Sequence, residues 1–223
     1  VIITGNTFKN IGDRIIRFNN VGAGTQITIT HNTVIGKLIK KEVIKAESLA
    51  AGVTCNIHSN SWGDGATFGD GFTEETGEPC AEINGVKYIS LAKALAAAQD
   101  GDTVKLVDDV TLAARVDVAF TGTIDLNGHT ISSTATCANG SVFNVTSGTV
   151  TIKNGSIVGV AGPTGWTEEL YKMECDAITV CSGAIVNLEE LNISICSRTG
   201  ACVYAFDGGT ANVKSGTYSN DTT

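Results

Sequence analysis

Few residues of this chain have the types and spacing that chemistry needs. The stretch 161–175, Ala-Gly-Pro-Thr-Gly-Trp-Thr-Glu-Glu-Leu-Tyr-Lys-Met-Glu-Cys, gathers Trp166, Glu168, Glu169, Tyr171 and Glu174, with Asp176 directly after. Aromatic faces and carboxylate acceptors are what a sugar-contacting loop uses, and a pair of carboxylates is what a glycosidase uses. These six are the candidate ligand-binding residues. The competing reading packs Trp166 and Tyr171 over the wall of the fold. Asp108-Asp109 reads as a solvated turn, and His129 as a structural turn residue rather than a general base. No residue is assigned a catalytic role.

The seven cysteines, Cys55, Cys80, Cys137, Cys175, Cys181, Cys196 and Cys202, form no Cys-x-x-Cys pair and no Cys/His cluster with zinc spacing. No metal and no cofactor is expected. The cysteines read either as small apolar wall residues or as the source of one or two disulfides in the Cys175–Cys202 region, with no pairing deducible.

A formal net charge of −8 disfavours sequence-independent nucleic-acid binding, which depends on neutralising phosphates. It also disfavours a groove for anionic polysaccharide, unless a bound cation inverts the local sign. No apolar run approaches the roughly 18 residues that span a bilayer. Val1 starts inside a strand pattern and 219–223 stops inside another, so both ends are expected to be cut from something longer.

The elements that would position these residues are legible from repetition. Ile3-Thr-Gly-Asn6-Thr-Phe8, Ile29-Thr-His-Asn32-Thr-Val34 and Ile57-His-Ser-Asn60-Ser-Trp62 share one form, apolar-x-x-Asn-[Thr/Ser]-apolar. Leu126-Asn-Gly-His-Thr-Ile131 returns as Ile152–Ile157, Leu188–Ile193 and Val213–Tyr218. A second slot reads Arg14–Phe18, Glu42–Ala46, Ser141–Val145, Asp176–Val180 and Cys202–Phe206, each followed within six residues by glycine. Repeats of about 25 residues built from short strands mark stacked coils. Each repeat should hold two strands at least, and three on the fuller reading, separated by Gly-containing turns.

Stacking puts equivalent residues in columns roughly 4.8 Å apart. Asn6, Asn32 and Asn60 should form one at a bend. Arg14 should stand by Glu42 and Arg17 by Lys45. Lys37–Ala51 could form an amphipathic helix, but its register against Arg14–Phe18 favours a strand and a long turn.

Residues 63–85 are Gly-rich and acidic and read as a linker. The one helix is expected at about 89–99, with Ser90 as N-cap, Gly101 as the stop, and Ile89, Leu91, Ala94, Leu95 and Ala98 as its apolar stripe. It should cover the open end of the repeats that follow. The expected division is 1–62, terminal coils of a first unit; 63–85, linker; 86–223, capping helix and coils of a second.

The segment Gln99-Asp-Gly-Asp-Thr-Val104 after a short helix, followed by Ile124-Asp-Leu-Asn-Gly-His-Thr-Ile131, resembles the capping start of a pectin-lyase-like right-handed parallel β-helix. The Asn-Thr-Phe and Asn-Thr-Val turns resemble the interior coils of that superfamily. The likeness covers nearly the whole chain except the linker, and Glu82–Leu91 is most similar to start segments of large surface proteins of Gram-positive bacteria. It implies an all-β fold, a right-handed parallel β-helix (solenoid). The polygalacturonase-type run Asn-Thr-Asp, Asp-Asp, Gly-His-Gly, Arg-Ile-Lys is absent. The resemblance therefore implies an extracellular or cell-surface segment, structural or adhesive, with a polysaccharide or a host or cell-wall glycan as partner. The alternatives are a polysaccharide lyase or glycoside hydrolase of the same fold, and a phage tailspike-type segment, which should trimerise.

Overall fold

A computed structural model describes residues 1–38, 41–134, 142–161, 176–196 and 200–221. The chain is mostly β, with parallel pairing predominant and one helix among the described residues. No helix among those residues is long and apolar enough to cross a membrane. It divides into two compact units, Val1–Glu78 and Pro79–Thr223.

In the first unit, β1 (Ile2–Thr4), β4 (Gln26–Thr30) and β7 (Thr54–His58) pair in parallel. So do β2 (Thr7–Lys9) with β5 (Thr33–Ile35), and β3 (Ile16–Val21) with β6 (Glu42–Leu49) and β8 (Thr67–Phe68). Ile3 faces Ile29, which faces Ile57, and Phe8 faces Val34, as the spacing predicts. Lys37–Ala51 holds the strand β6, with Arg17 opposite Lys45. The Arg14 Nε donates to Glu42 at 2.7 Å. Ile27, Ile29, Val43, Ile44 and Ile57 fill the interior with Trp62 and Phe72.

The expected linker 63–85 is corrected. Residues 63–78 belong to the first unit: β8 lies in a sheet, Phe72 is buried, and the rings of Trp62 and Phe68 meet edge to face at 6.1 Å. Residues 79–85 open the second unit. The flanking glycines permit turns, but Phe68 and Phe72 are apolar surface that folding buries.

The second unit stacks three strands per repeat. One stack runs β11 (Thr103–Leu106), β14 (Gly122–Asp125), the first half of β17 (Thr149–Ala161), the first half of β19 (Ile185–Cys196) and β21 (Thr210–Val213). A second runs β12 (Val110–Leu112), β15 (Thr130–Ser133), the later halves of β17 and β19, and β22 (Tyr218–Asn220). The third is β13 (Val116–Val118), β16 (Phe143–Val145), β18 (Ile178–Val180) and β20 (Val203–Ala205). All these pairs are parallel. Ile131, Ile157 and Ile193 stand in one column, and at most 1% of any of them is exposed.

Corners reuse one conformation. Gly24, Gly52, Gly148, Gly183 and Gly208 close equivalent turns with φ between 74° and 88°, a region that a Cβ disfavours. That is why a glycine follows each copy of the second slot.

Two sequence alignments need correction. Ile152 pairs with Ile124, not Leu126, because the corner between Ile124 and Ile131 is two residues longer than the later ones; Leu126 is buried in that corner. Ile178 pairs with Val203, so the slot that begins at Asp176 is matched by Ala201 and not by Cys202.

The cap combines two devices. The hairpin β9 (Ala81–Ile83) and β10 (Val86–Tyr88) turns at Asn84-Gly85, both at positive φ, and β9 pairs antiparallel with β11. The hairpin, rather than the helix, thus covers that strand edge. The helix α1 (Leu91–Ala97) buries Leu91, Ala94, Leu95 and Ala97 and packs against β9, β10 and β13. Ser90 is its N-cap, its side chain accepting from the Lys93 amide. The helix is shorter than the expected 89–99. Ala98 is already extended, and the Asp102 carboxylate takes the Gln99 amide at 2.8 Å, so the chain leaves the helix before Gly101.

Candidate functional site

Trp166, Glu168, Glu169, Tyr171 and Glu174 lie outside the described residues. Asp176 is described, and only 4% of it is exposed. Its Oδ1 accepts from the Ala201 amide at 2.7 Å, which ties the start of β18 to the entry of β20 on the next repeat. A buried carboxylate engaged by backbone is a strut between neighbouring strands.

Asp109 and His129, read separately as turn residues, are brought together. The imidazole Nδ1 lies 3.3 Å from Asp109 Oδ1, which also accepts from the Thr130 amide at 2.9 Å. Asp109 is 70% exposed at its side chain, and its own amide donates to Asp108. The carboxylate thus secures the corner that carries His129.

No disulfide joins Cys181, Cys196 and Cys202; Cys137 and Cys175 lie outside the described residues. The Cys202 thiol donates to the Ser219 carbonyl at 3.3 Å, and burial raises its pKa above the ordinary value. Among the described residues, no group of three or more His, Cys, Asp or Glu is placed to hold a metal ion.

Three features escaped the sequence reading. Tyr204 and Phe206 stack with ring centroids 5.8 Å apart and planes 14° from parallel, and they are 41% and 39% exposed. Two aromatics at i and i+2, one on the short strand β20 and one just past its end, were the available signal, hidden by the one-residue slip in that slot. An exposed aromatic pair is the described surface best suited to an apolar sugar face.

The second is Glu74. The Asn column forms as expected. Asn6 gives its amide and Nδ2 to Asn32 Oδ1 at 3.0 and 3.1 Å, and Asn32 gives the same groups to Asn60 Oδ1 at 3.0 and 2.9 Å. Asn60 then gives its amide and Nδ2 to Glu74 Oε1 at 2.9 and 3.1 Å. Glu74 stands where the Asn oxygen of a further repeat would be, and so ends the ladder with every donor met. The third is a column of alternating charge across the second unit's largest sheet.

Comparison with family models, with curated proteins and with solved structures yields no match for this chain.

Proposed function

We propose that this chain is an extracellular segment of a bacterial surface protein, in which two units of right-handed parallel β-helix serve as a structural or adhesive element without catalysis of their own. The observation that carries the reading is the parallel register of equivalent residues in both units, each with a device that closes one end of its stack. Parallel strands joined repeatedly in one sense favour right-handed connections. Such an array presents long faces at the cost of few specialised residues, which suits a spacer or a docking surface. The proposed partner is a polysaccharide or a host or cell-wall glycan, met by Tyr204 and Phe206 and by the segment that carries Trp166, Glu168, Glu169, Tyr171 and Glu174.

A glycan array, paired with reducing-sugar and unsaturated-product assays on acidic polysaccharides, tests the reading. Binding without product is the expected result. Product formation that Glu169→Gln abolishes would overturn it in favour of a polysaccharide lyase or glycoside hydrolase.

A further inference from the structure

One outward column of the second unit carries nothing but charge. Lys87 lies opposite Glu82, Glu82 opposite Lys105, Lys105 opposite Asp125, Asp125 opposite Lys153, and Lys153 opposite Glu189. Lys214 completes it, its Nζ 2.6 Å from Glu189 Oε1. The signs alternate without a break from the capping hairpin to β21. Lys153 Nζ also reaches Asp125 Oδ2 at 4.0 Å. Lys214 chiefly, and Lys153 to a lesser degree, hold the Glu189 carboxyl below its usual range, so this acid feels the rung on either side.

The inward neighbours of these charges are nearly interchangeable. Val104, Ile124, Ile152 and Leu188 are all fully buried and stand in one column. A strand that paired with the next repeat but one would keep its apolar side chains inward, because the side-chain period of two is unchanged. The hydrophobic pattern therefore does not tell one repeat from another. The charges do. Skipping a repeat would set Asp125 against Glu189, or Lys105 against Lys153, and like charges directly opposite on a sheet are unfavourable.

We infer that this alternating column is a parity check on repeat order, which lets each strand of the stack accept its sequence neighbour and reject the repeat beyond it. The same rule disfavours an out-of-order strand of a second chain, whereas an in-order exchange would keep the alternation.

The test is refolding of the full chain from denaturant at low salt, read as the fraction recovered as monomer by size-exclusion chromatography. The double variant Asp125→Lys/Lys153→Asp leaves composition and net charge unaltered. The swapped pair still attracts itself, but each member now repels its other native neighbour, Lys105 or Glu189, and attracts the residue one repeat further on. Its monomer yield should fall by roughly fivefold, with recovery in 1 M salt, where the screening length shrinks to about 3 Å. Inverting every sign (Lys87→Glu, Glu82→Lys, Lys105→Glu, Asp125→Lys, Lys153→Glu, Glu189→Lys, Lys214→Glu) preserves the alternation while losing the same Asp125 acceptor for the Asn127 amide and Asn154 Nδ2 that the swap loses, and should refold at several times the swap's yield. The neutral pair Asp125→Asn/Lys153→Gln removes the native attraction without rewarding the skip, and should fall between the two. A yield for the swapped variant equal to the parent's would overturn the inference. So would a neutral pair as impaired as the swap, or a sign-inverted chain that fails as the swap does.

Discussion

Removal of the Asn32 side chain probes how the first unit is held together. Asn32 is 1% exposed and lies in the middle of the amide ladder. Its Nδ2 donates to the carbonyls of Ile3 at 2.9 Å and Thr30 at 3.0 Å, and to Asn60 Oδ1 at 2.9 Å. Its Oδ1 accepts the Asn6 amide and Nδ2. In Asn32→Ala the Asn6 amide loses this partner. The Thr30 carbonyl keeps the Gly5 amide, and Asn60 Oδ1 keeps the Asn32 amide. Two or three uncompensated losses at about 1 kcal/mol each give a cost of about 2–3 kcal/mol. For a unit of this size that lowers its midpoint of unfolding by roughly 8–24 °C. Hydrogen exchange read by peptide mass spectrometry, along a denaturant series, separates the first unit from the second. The matched control is Asn6→Ala, at an exposed position, which should cost about 1 kcal/mol or less. A cost for Asn32→Ala within about 0.5 kcal/mol of zero, or one equal to the control, would mean that water replaces the ladder without penalty and that the amides do not hold the unit together.

Three more outcomes follow from the same geometry. Glu74→Gln retains an oxygen acceptor for Asn60 and should leave the first unit near parental stability, whereas Glu74→Ala should cost about 1–2 kcal/mol in the same exchange assay. Glu47, through Arg17, and Glu189, through Lys214 first, are held below the usual carboxylate range. A depressed folded-state pKa adds stability that is present above the ordinary glutamate value and is lost as pH falls through the lowered one. Acid titration monitored by circular dichroism should therefore show a shallow loss below about pH 4.5, shallower still in Lys214→Gln. Among the described thiols, alkylation followed by peptide mapping should label exposed Cys196 ahead of Cys202, whose burial raises its pKa.

The repeats were legible where one residue type could serve only one purpose. Asn at Asn6, Asn32 and Asn60 fixes its place because an amide side chain at a bend can meet the turn's backbone groups and the amide of the next repeat, and the flanking Ile residues then fall into register. Register was lost where both faces of a strand look alike. Around β20, Ala201-Cys-Val-Tyr-Ala and Cys202-Val-Tyr-Ala-Phe both satisfy an apolar pattern, and only the backbone pairing tells them apart. Leu126 misled in another way. It is as buried as a wall residue but sits in a longer corner, and burial alone does not say which strand a residue joins.

Composition misread 63–78, because the glycines and acids hid Phe68, Phe72 and the carboxylate that ends the Asn ladder. The charge column could be read from Lys105, Asp125, Lys153, Glu189 and Lys214 only after their alignment was known. Of the six candidate ligand-binding residues, Asp176 alone lies among the described positions, and its burial was invisible to a reading that grouped it with its loop.

Scalar couplings across backbone hydrogen bonds, measured by nuclear magnetic resonance on deuterated protein, address the stacking claim most directly. Equivalent residues of successive repeats should be joined in parallel, giving correlations from the Ser156 amide to the His129 carbonyl, from Leu126 to Lys153, and from Ile193 to Thr217. Correlations that join these segments in antiparallel order, or that link Ile131 and Ile157 to unrelated strands, would contradict it.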